Sequence, residues 1–187
     1  MNARFVGEPT RIAGLLLLRR LPLVDTRGSF ERLFCAQELA AFGHPGVVAQ
    51  ANRSCTTRVG AVRGMHFQHA PHGDWKVISC THGAVHDVIV DLRRGSPTFL
   101  QWQAIELAED EQNSLLVPPG CAHGFQVLRG PAEMIYLHSQ PYVPAADAGV
   151  RADDPRLAIN WPLAICERSP RDESHPFLDA TFAGFSP

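Results

Sequence analysis

Residues 84–92 read Ala-Val-His-Asp-Val-Ile-Val-Asp-Leu. Alternation at a period of two places Val85, Asp87, Ile89 and Asp91 on one face of a strand, and Ala84, His86, Val88, Val90 and Leu92 on the other. Outward from this stretch, Trp75–Cys80, Ser114–Val117, Phe125–Leu128 and Met134–His138 are further short apolar runs separated by Gly, Pro and polar turns. Such spacing favours an all-β fold, a sandwich or jelly roll, and periodicity does not choose between them. One short N-terminal helix is expected near Ala36–Phe42, stopping at Gly43. From about Pro144 onward prolines are frequent and periodicity fades. The expectation is a single domain over residues 1–187, with a core over about 12–143 and a packed, irregular C-terminal wrap over about 144–187.

The 187 residues suffice for one domain with a real hydrophobic core, and 45% hydrophobic and 19% charged residues are ordinary for a globular protein. A net charge of −2 gives no whole-chain attraction to nucleic acid or acidic membranes. Lys76 is the sole lysine among 17 basic residues. The cysteines, Cys35, Cys55, Cys80, Cys121 and Cys166, are odd in number and widely spaced, which argues against a disulfide framework or a structural zinc site. Reduced, mostly buried thiols are expected. The apolar run Leu15–Leu18 is far too short to span a bilayer, and no signal-peptide pattern precedes it. The chain therefore reads as soluble and cytoplasmic.

Two segments stand out for chemistry. Arg63–Gln68 reads RGMHFQ, with His66 and Gln68 on one face of a strand. Strict alternation puts Arg63 on the other face, unless Gly64 bends the strand or a second subunit takes part. Pro118–Phe125 reads PPGCAHGF, and its P-x-G-x-x-H spacing resembles the second motif of the cupin superfamily, whose fold is a jelly-roll barrel. Metal-binding cupins supply HxH and then a Glu from their first motif. This chain has His66-Phe67-Gln68 and no Glu at the matching spacing. One His from each segment is too few for a usual transition-metal site, and His69 and His72 fall in a Pro/Gly loop. No metal is expected.

Ten or so short motifs then fall in order. They include D-x-R-G (Asp25–Gly28), Q-x-N-x-S (Gln50–Ser54), RGMHFQ, Lys76, DVIVDLRRGSPT (Asp87–Thr98), PPGCAHGF and AEMIY (Ala132–Tyr136). Tyr142, DDP (Asp153–Pro155), WP (Trp161–Pro162) and S-x-x-D (Ser169–Asp172) follow. Over about 150 residues this order resembles the dTDP-4-dehydrorhamnose 3,5-epimerase family. The resemblance implies a cupin-type jelly roll, a homodimer, a nucleotide-diphosphate sugar as substrate, and no metal or organic cofactor.

Protons at C3 and C5 of a 4-keto sugar flank the carbonyl, and removing one leaves an enolate. Epimerisation needs a base on one face, a proton donor on the other, and a cation or hydrogen-bond donors at the carbonyl oxygen. By resemblance, His66 is the base and Asp172 its partner. Tyr136, which alternation puts on one face with Met134 and His138, is the proton donor. Lys76 stands near the developing oxyanion and His123 lines the sugar site. Tyr142 packs against the nucleotide base. Arg27, Gln50, Asn52, Arg63 and Arg171 match positions that hold the base or diphosphate, a role suited to the guanidinium fork. Asp147 stands where the family often has Glu. Asp87 and Asp91 share a face and read as structural; the alternative is that one of them supports the site.

Arg32 departs from the pattern: the family often has R-G-x-F-x-E, and here the run is R-G-S-F-E-R, with Glu31 displaced by one residue. This bears on nucleotide preference and leaves the sugar chemistry intact. Three other readings stay open at this level. One is a 3-epimerase, or an epimerase of another nucleotide-linked keto sugar. The others are a non-catalytic sugar-nucleotide-binding cupin and a metal-dependent cupin oxygenase.

Overall fold

Two long strands organise the molecule, each joining runs that the sequence shows as separate. The computed structural model describes residues 3–186. In chain order its elements are β1 Phe5–Pro9, β2 Leu16–Arg20, β3 Leu23–Asp25, β4 Gly28–Phe30, α1 Ala36–Ala40, β5 Gln50–Thr56 and β6 Val62–Gln68. There follow β7 Lys76–Asp91, β8 Trp102–Ala108, β9 Asn113–Val117, β10 Cys121–His138, β11 Asp147–Gly149 and α2 Pro170–Ser174. Strand β7 absorbs the two runs expected around Trp75–Cys80 and Ala84–Leu92. Strand β10 absorbs Phe125–Leu128 and Met134–His138.

β7 and β10 pair antiparallel along nearly their whole length, with register shifts between Val127 and Arg129 and between Arg129 and Glu133. Such irregularities bend a strand. Here they face Gly83, where an added Cβ would stand 2.3 Å from the Arg129 carbonyl oxygen. On one side of the corner the pair extends through β9, β2 and β1 and through β5; on the other it extends through β8 and through β6 to β11. The result is an all-β, jelly-roll architecture of two layers sharing their central strands, with pairing that runs along an open path among the described residues. A separate hairpin, β3–β4, stands off it.

The corner also changes which residues face inward. Before it Ile78 and Cys80, and after it Val85 and Ile89, join Phe125, Val127, Met134, Leu107 and Leu115 in the inner core. The opposite face of β7 is not free either. Val88, Val90 and Leu92 pack with Met65, Phe67 and Leu157, covered by Trp161, Phe182 and Phe185 from the C-terminal residues. Full burial of each Val or Leu contributes on the order of 1.5–3 kcal/mol, enough to hold this segment down without regular secondary structure.

Helix α1 is shorter than expected, ending at Ala40 before a turn through Gly43 at φ +90. Helix α2 lies in a stretch that read as irregular. Its start is nonetheless written in the chain, with Ser169 as N-cap and Pro170 in the first turn. Only Cys80 and Cys121 of the five thiols are buried, because Cys55 and Cys166 fall on exposed positions. No helix among the described residues is long and apolar enough to cross a membrane.

Candidate active site

Strand register assembles the site in rows. Gln50 of β5, His138 of β10 and Lys76 of β7 stand side by side, and the next row holds Asn52, Tyr136 and Ile78. Towards the start of β10, beyond the corner, His66 of β6 stands opposite His123. These side chains continue the inward face of the core towards one open end, where polar residues replace apolar ones. Apart from the fully buried Ile78, they line two adjoining depressions that share Asn52, His66, Lys76 and His138. They are two lobes of one groove.

The first lobe also takes in Arg63, His123 and Tyr136. Arg63 therefore opens on the same groove as His66, contrary to strict alternation. Between them Gly64 and Met65 stand against Gly124 alone, a bulge that reverses the phase of β6. Only glycines fit it. Gly64 has φ +109, and a Cβ there would lie 2.6 Å from Gly124 Cα; a Cβ on Gly124 would lie 2.5 Å from Met65 Sδ.

His66 Nε2 lies 2.7 Å from Asp172 Oδ1, and the Gly64 N–H donates to Asp172 Oδ2 at 3.2 Å. The α2 cap fixes this carboxylate, since the Asp172 N–H donates to Ser169 Oγ at 3.1 Å. Burial pushes the Asp172 carboxyl up, but its bonds from His66, Gly64 and Ser169 outweigh that and hold it below the usual carboxylate range. An ionised Asp172 accepts only, so Nε2 of His66 carries the proton and Nδ1 remains the free ring nitrogen.

A second buried pair supports the lobe: His123 Nε2 lies 2.8 Å from Asp87 Oδ2. Burial raises the Asp87 carboxyl, with His123 offsetting part of the effect. Asp91, by contrast, is consumed by Arg93, Ser96 and Thr98 in the turn after β7. The Tyr136 hydroxyl is 3.1 Å from Ser54 Oγ, and its ring stands edge-on to His123. Burial raises this phenol well above its ordinary value, so it stays protonated and able to donate.

The second lobe is bordered by Gln50, Tyr142, Asp147 and Arg171. Gln50 Oε1 accepts from the Tyr142 N–H at 2.8 Å, and the Tyr142 hydroxyl donates to Asp147 Oδ2 at 3.2 Å. Arg171 also pairs with Asp147. Two arginines singled out in the sequence lie elsewhere. Arg27 sits at the β3–β4 turn, 88% exposed and bound to Asp25. Arg32 pairs with Glu38 of α1, and Glu31 with the buried Arg20 at 2.7 Å.

Sequence reasoning missed three residues here. His138 Nδ1 lies 2.6 Å from Asp74 Oδ2, and Asp74 Oδ1 is 4.0 Å from Lys76 Nζ. The signal for His138 was present, two residues after Tyr136 on the same face; Asp74, in a loop, had none. His175, past the end of α2, has its ring centroid 6.0 Å from that of His66. Burial, and next the nearby His66, lower its pKa and keep it neutral. Among the described residues, His66, Asp172 and His175 form one group whose ligand atoms lie within 4.8 Å of one another. The 2.7 Å contact within it is a hydrogen-bond distance, shorter than the roughly 3.3 Å between two tetrahedral ligands of a zinc ion.

The model of the family described as dTDP-4-dehydrorhamnose 3,5-epimerase matches residues 9–180. The chain is 41% identical over 159 residues to a dTDP-4-dehydrorhamnose 3,5-epimerase of Streptomyces griseus, covering 84% of this chain and 78% of that one. It is 39% identical over 182 residues to a dTDP-4-dehydrorhamnose 3-epimerase of Streptomyces niveus, covering 96% and 87%. Its fold is similar to that of a dTDP-6-deoxy-D-glucose-3,5-epimerase from Legionella pneumophila, solved in complex with dTDP-4-keto-L-rhamnose. The TM-score is 0.89 and the identity 32%, over 98% of this chain and 99% of that one.

Proposed function

The chain belongs to the dTDP-4-dehydrorhamnose 3,5-epimerase family, and from that premise we propose how it inverts the carbons beside the carbonyl of a dTDP-linked 4-keto-6-deoxy sugar. The substrate is dTDP-4-dehydro-6-deoxyglucose, taken through an enolate to dTDP-4-dehydrorhamnose. The free Nδ1 of His66 removes the proton, and the buried Asp172 carboxylate holds the ring's tautomer and stabilises its protonated form. Lys76, its side chain only 9% exposed, supplies positive charge to the enolate oxygen. Tyr136, a neutral phenol, returns a proton from the opposite face. His123 lines the sugar lobe. Gln50, Asn52, Tyr142, Asp147 and Arg171 border the nucleotide lobe, with Arg63 at the diphosphate.

One observation carries this reading. A histidine with an ionised, buried partner and a phenol kept protonated by burial open on the same lobe as the sole lysine. The enzyme acts without metal or organic cofactor, as a cytoplasmic homodimer. Val24 and Phe30 of the β3–β4 hairpin are 75% and 71% exposed, which suits a surface covered by a second copy. That arrangement would also bring Arg27 to a neighbouring groove.

The test is incubation with dTDP-4-keto-6-deoxyglucose in heavy water. Deuterium at C3 and C5 is expected; deuterium at C3 alone would make the enzyme a 3-epimerase, like the Streptomyces niveus relative. Deuterium at neither carbon would overturn the reading. Activity that vanishes on chelation and returns with added metal would overturn the cofactor-free mechanism.

A further inference from the structure

The polar groups on the groove floor form one chain, and its donor sense follows from a fixed end. The Tyr142 backbone N–H can only donate, and it donates to Gln50 Oε1 at 2.8 Å. Gln50 therefore presents Nε2 to its next partner, and this donates to Asn52 Oδ1 at 3.1 Å. Asn52 is left with Nδ2 towards His138 Nε2 at 3.4 Å, so Nε2 bears a lone pair. A neutral histidine with a lone pair on Nε2 carries its proton on Nδ1, which lies 2.6 Å from Asp74 Oδ2. Reversing either amide, or protonating Nε2, would set two donors or two acceptors against each other.

Asp74 is the pivot of the far end. Its side chain is 3% exposed and that of Lys76 9%, in a setting where opposite charges attract strongly. A carboxylate free to turn would close on the ammonium and tie it up. With Oδ2 held by His138, Oδ1 stays 4.0 Å from Nζ, beyond a direct hydrogen bond. Nζ instead donates weakly to the His66 carbonyl at 3.4 Å. The ammonium is anchored yet keeps donors for the groove. The groups facing His138 are Asp74, Lys76 of β7, Asn52 of β5 and the stacked Tyr136 ring of its own strand.

We propose that His138 is a positioning residue, neutral and protonated on Nδ1, that couples the amides of the nucleotide lobe to Asp74 and so sets the reach of Lys76. The proposal rests on the groove being the keto-sugar site, and it deepens that reading. It makes nucleotide binding and enolate stabilisation depend on one hydrogen-bonded chain.

Two substitutions separate the arms. His138→Phe keeps the stacking ring and cuts both bonds. His138→Asn keeps an N–H donor for Asp74, while its shorter side chain places no acceptor where Nε2 meets Asn52. For His138→Phe, kcat should fall about 10-fold and dTDP affinity about 5-fold, the scale of one lost hydrogen bond each. His138→Asn should recover kcat to within about 3-fold of wild type while dTDP affinity stays weak. Equal kcat in the two variants, or unchanged kcat in His138→Phe, would overturn the coupling. A third readout is independent of turnover and of the fate of the Phe variant. In histidine ¹⁵N spectra of the wild type near neutral pH, the resonances missing from His138→Asn should show a protonated Nδ1 and a bare Nε2. An Nε2-protonated ring or an imidazolium would overturn the proposal even if the enzyme is active. A wild type that does not turn over the keto sugar, yet shows this tautomer, would count against the proposed substrate alone.

Discussion

Asp172 Oδ1 lies 2.7 Å from His66 Nε2, although the two residues stand 106 positions apart in the chain. The carboxylate accepts the proton on Nε2 and leaves Nδ1 bare. An Asn at 172 fills the same space but offers its amide N–H to Nε2, which favours the opposite tautomer. Asp172→Asn should therefore lower deuterium incorporation by about 10²–10⁴-fold, as loss of general-base catalysis does. Incorporation at C3, read by NMR in heavy water, checks it. Near-normal exchange in a folded variant would remove the pair from the mechanism.

The same carboxyl sets an acid limit. Its folded pKa lies below the ordinary 3.8, so its stabilising contribution is complete above that value and is lost as pH falls through the folded one. Thermal melts of the wild type should drop more steeply than those of Asp172→Asn as pH is taken below about 4. Parallel curves would show that the pair does not contribute.

Exchange and inversion should separate at Tyr136. If His66 removes the proton and Tyr136 returns one from the other side, Tyr136→Phe still forms the enolate, which His66 reprotonates on its original face. Deuterium wash-in should persist while inverted product falls by about 10²-fold or more. Equal loss of both would leave Tyr136 a substrate-positioning role only.

Asp87 has the opposite linkage to Asp172. Its folded pKa is raised, mainly by burial, so its ionisation costs stability as pH rises from about 3.8 through the folded value. Its Oδ1 also has no hydrogen-bond partner among the described residues. Asp87→Asn should match or exceed the wild-type melting temperature, with an advantage that grows with pH over that window, while turnover falls because His123 loses its carboxyl partner. A variant that melts several degrees lower at neutral pH would contradict this.

Arg27 and His66 should complement each other across subunits if the exposed hairpin serves a second copy. Reassociating Arg27→Ala with His66→Asn at limiting substrate should restore on the order of a quarter of the wild-type rate, since half the dimers are mixed and each holds one intact site. Mixtures no more active than their parents, or a monomeric wild type, would confine Arg27 to the surface.

The all-β architecture, the strand core and the segments carrying His66, His123, Tyr136 and Asp172 were legible in the sequence. Period-two alternation, turn residues and motif order are local properties of a chain, and a strand's pleat turns them directly into faces. Even α2 was written locally, in Ser169-Pro170 ahead of Asp172, although the surrounding polar run concealed it. Tertiary structure decided the rest. The corner at Gly83 joined separate apolar runs into two long strands. The bulge at Gly64 brought Arg63 round to the His66 side, which alternation forbids, because two residues pack there against one glycine of a distant strand. Alternation puts His138 on the Tyr136 face, but the Asp74–His138 pair itself leaves no periodic trace, since Asp74 lies in a loop. Arg27 marks the remaining boundary: its type suits a phosphate, but its position on an exposed hairpin ties any such role to how two chains meet.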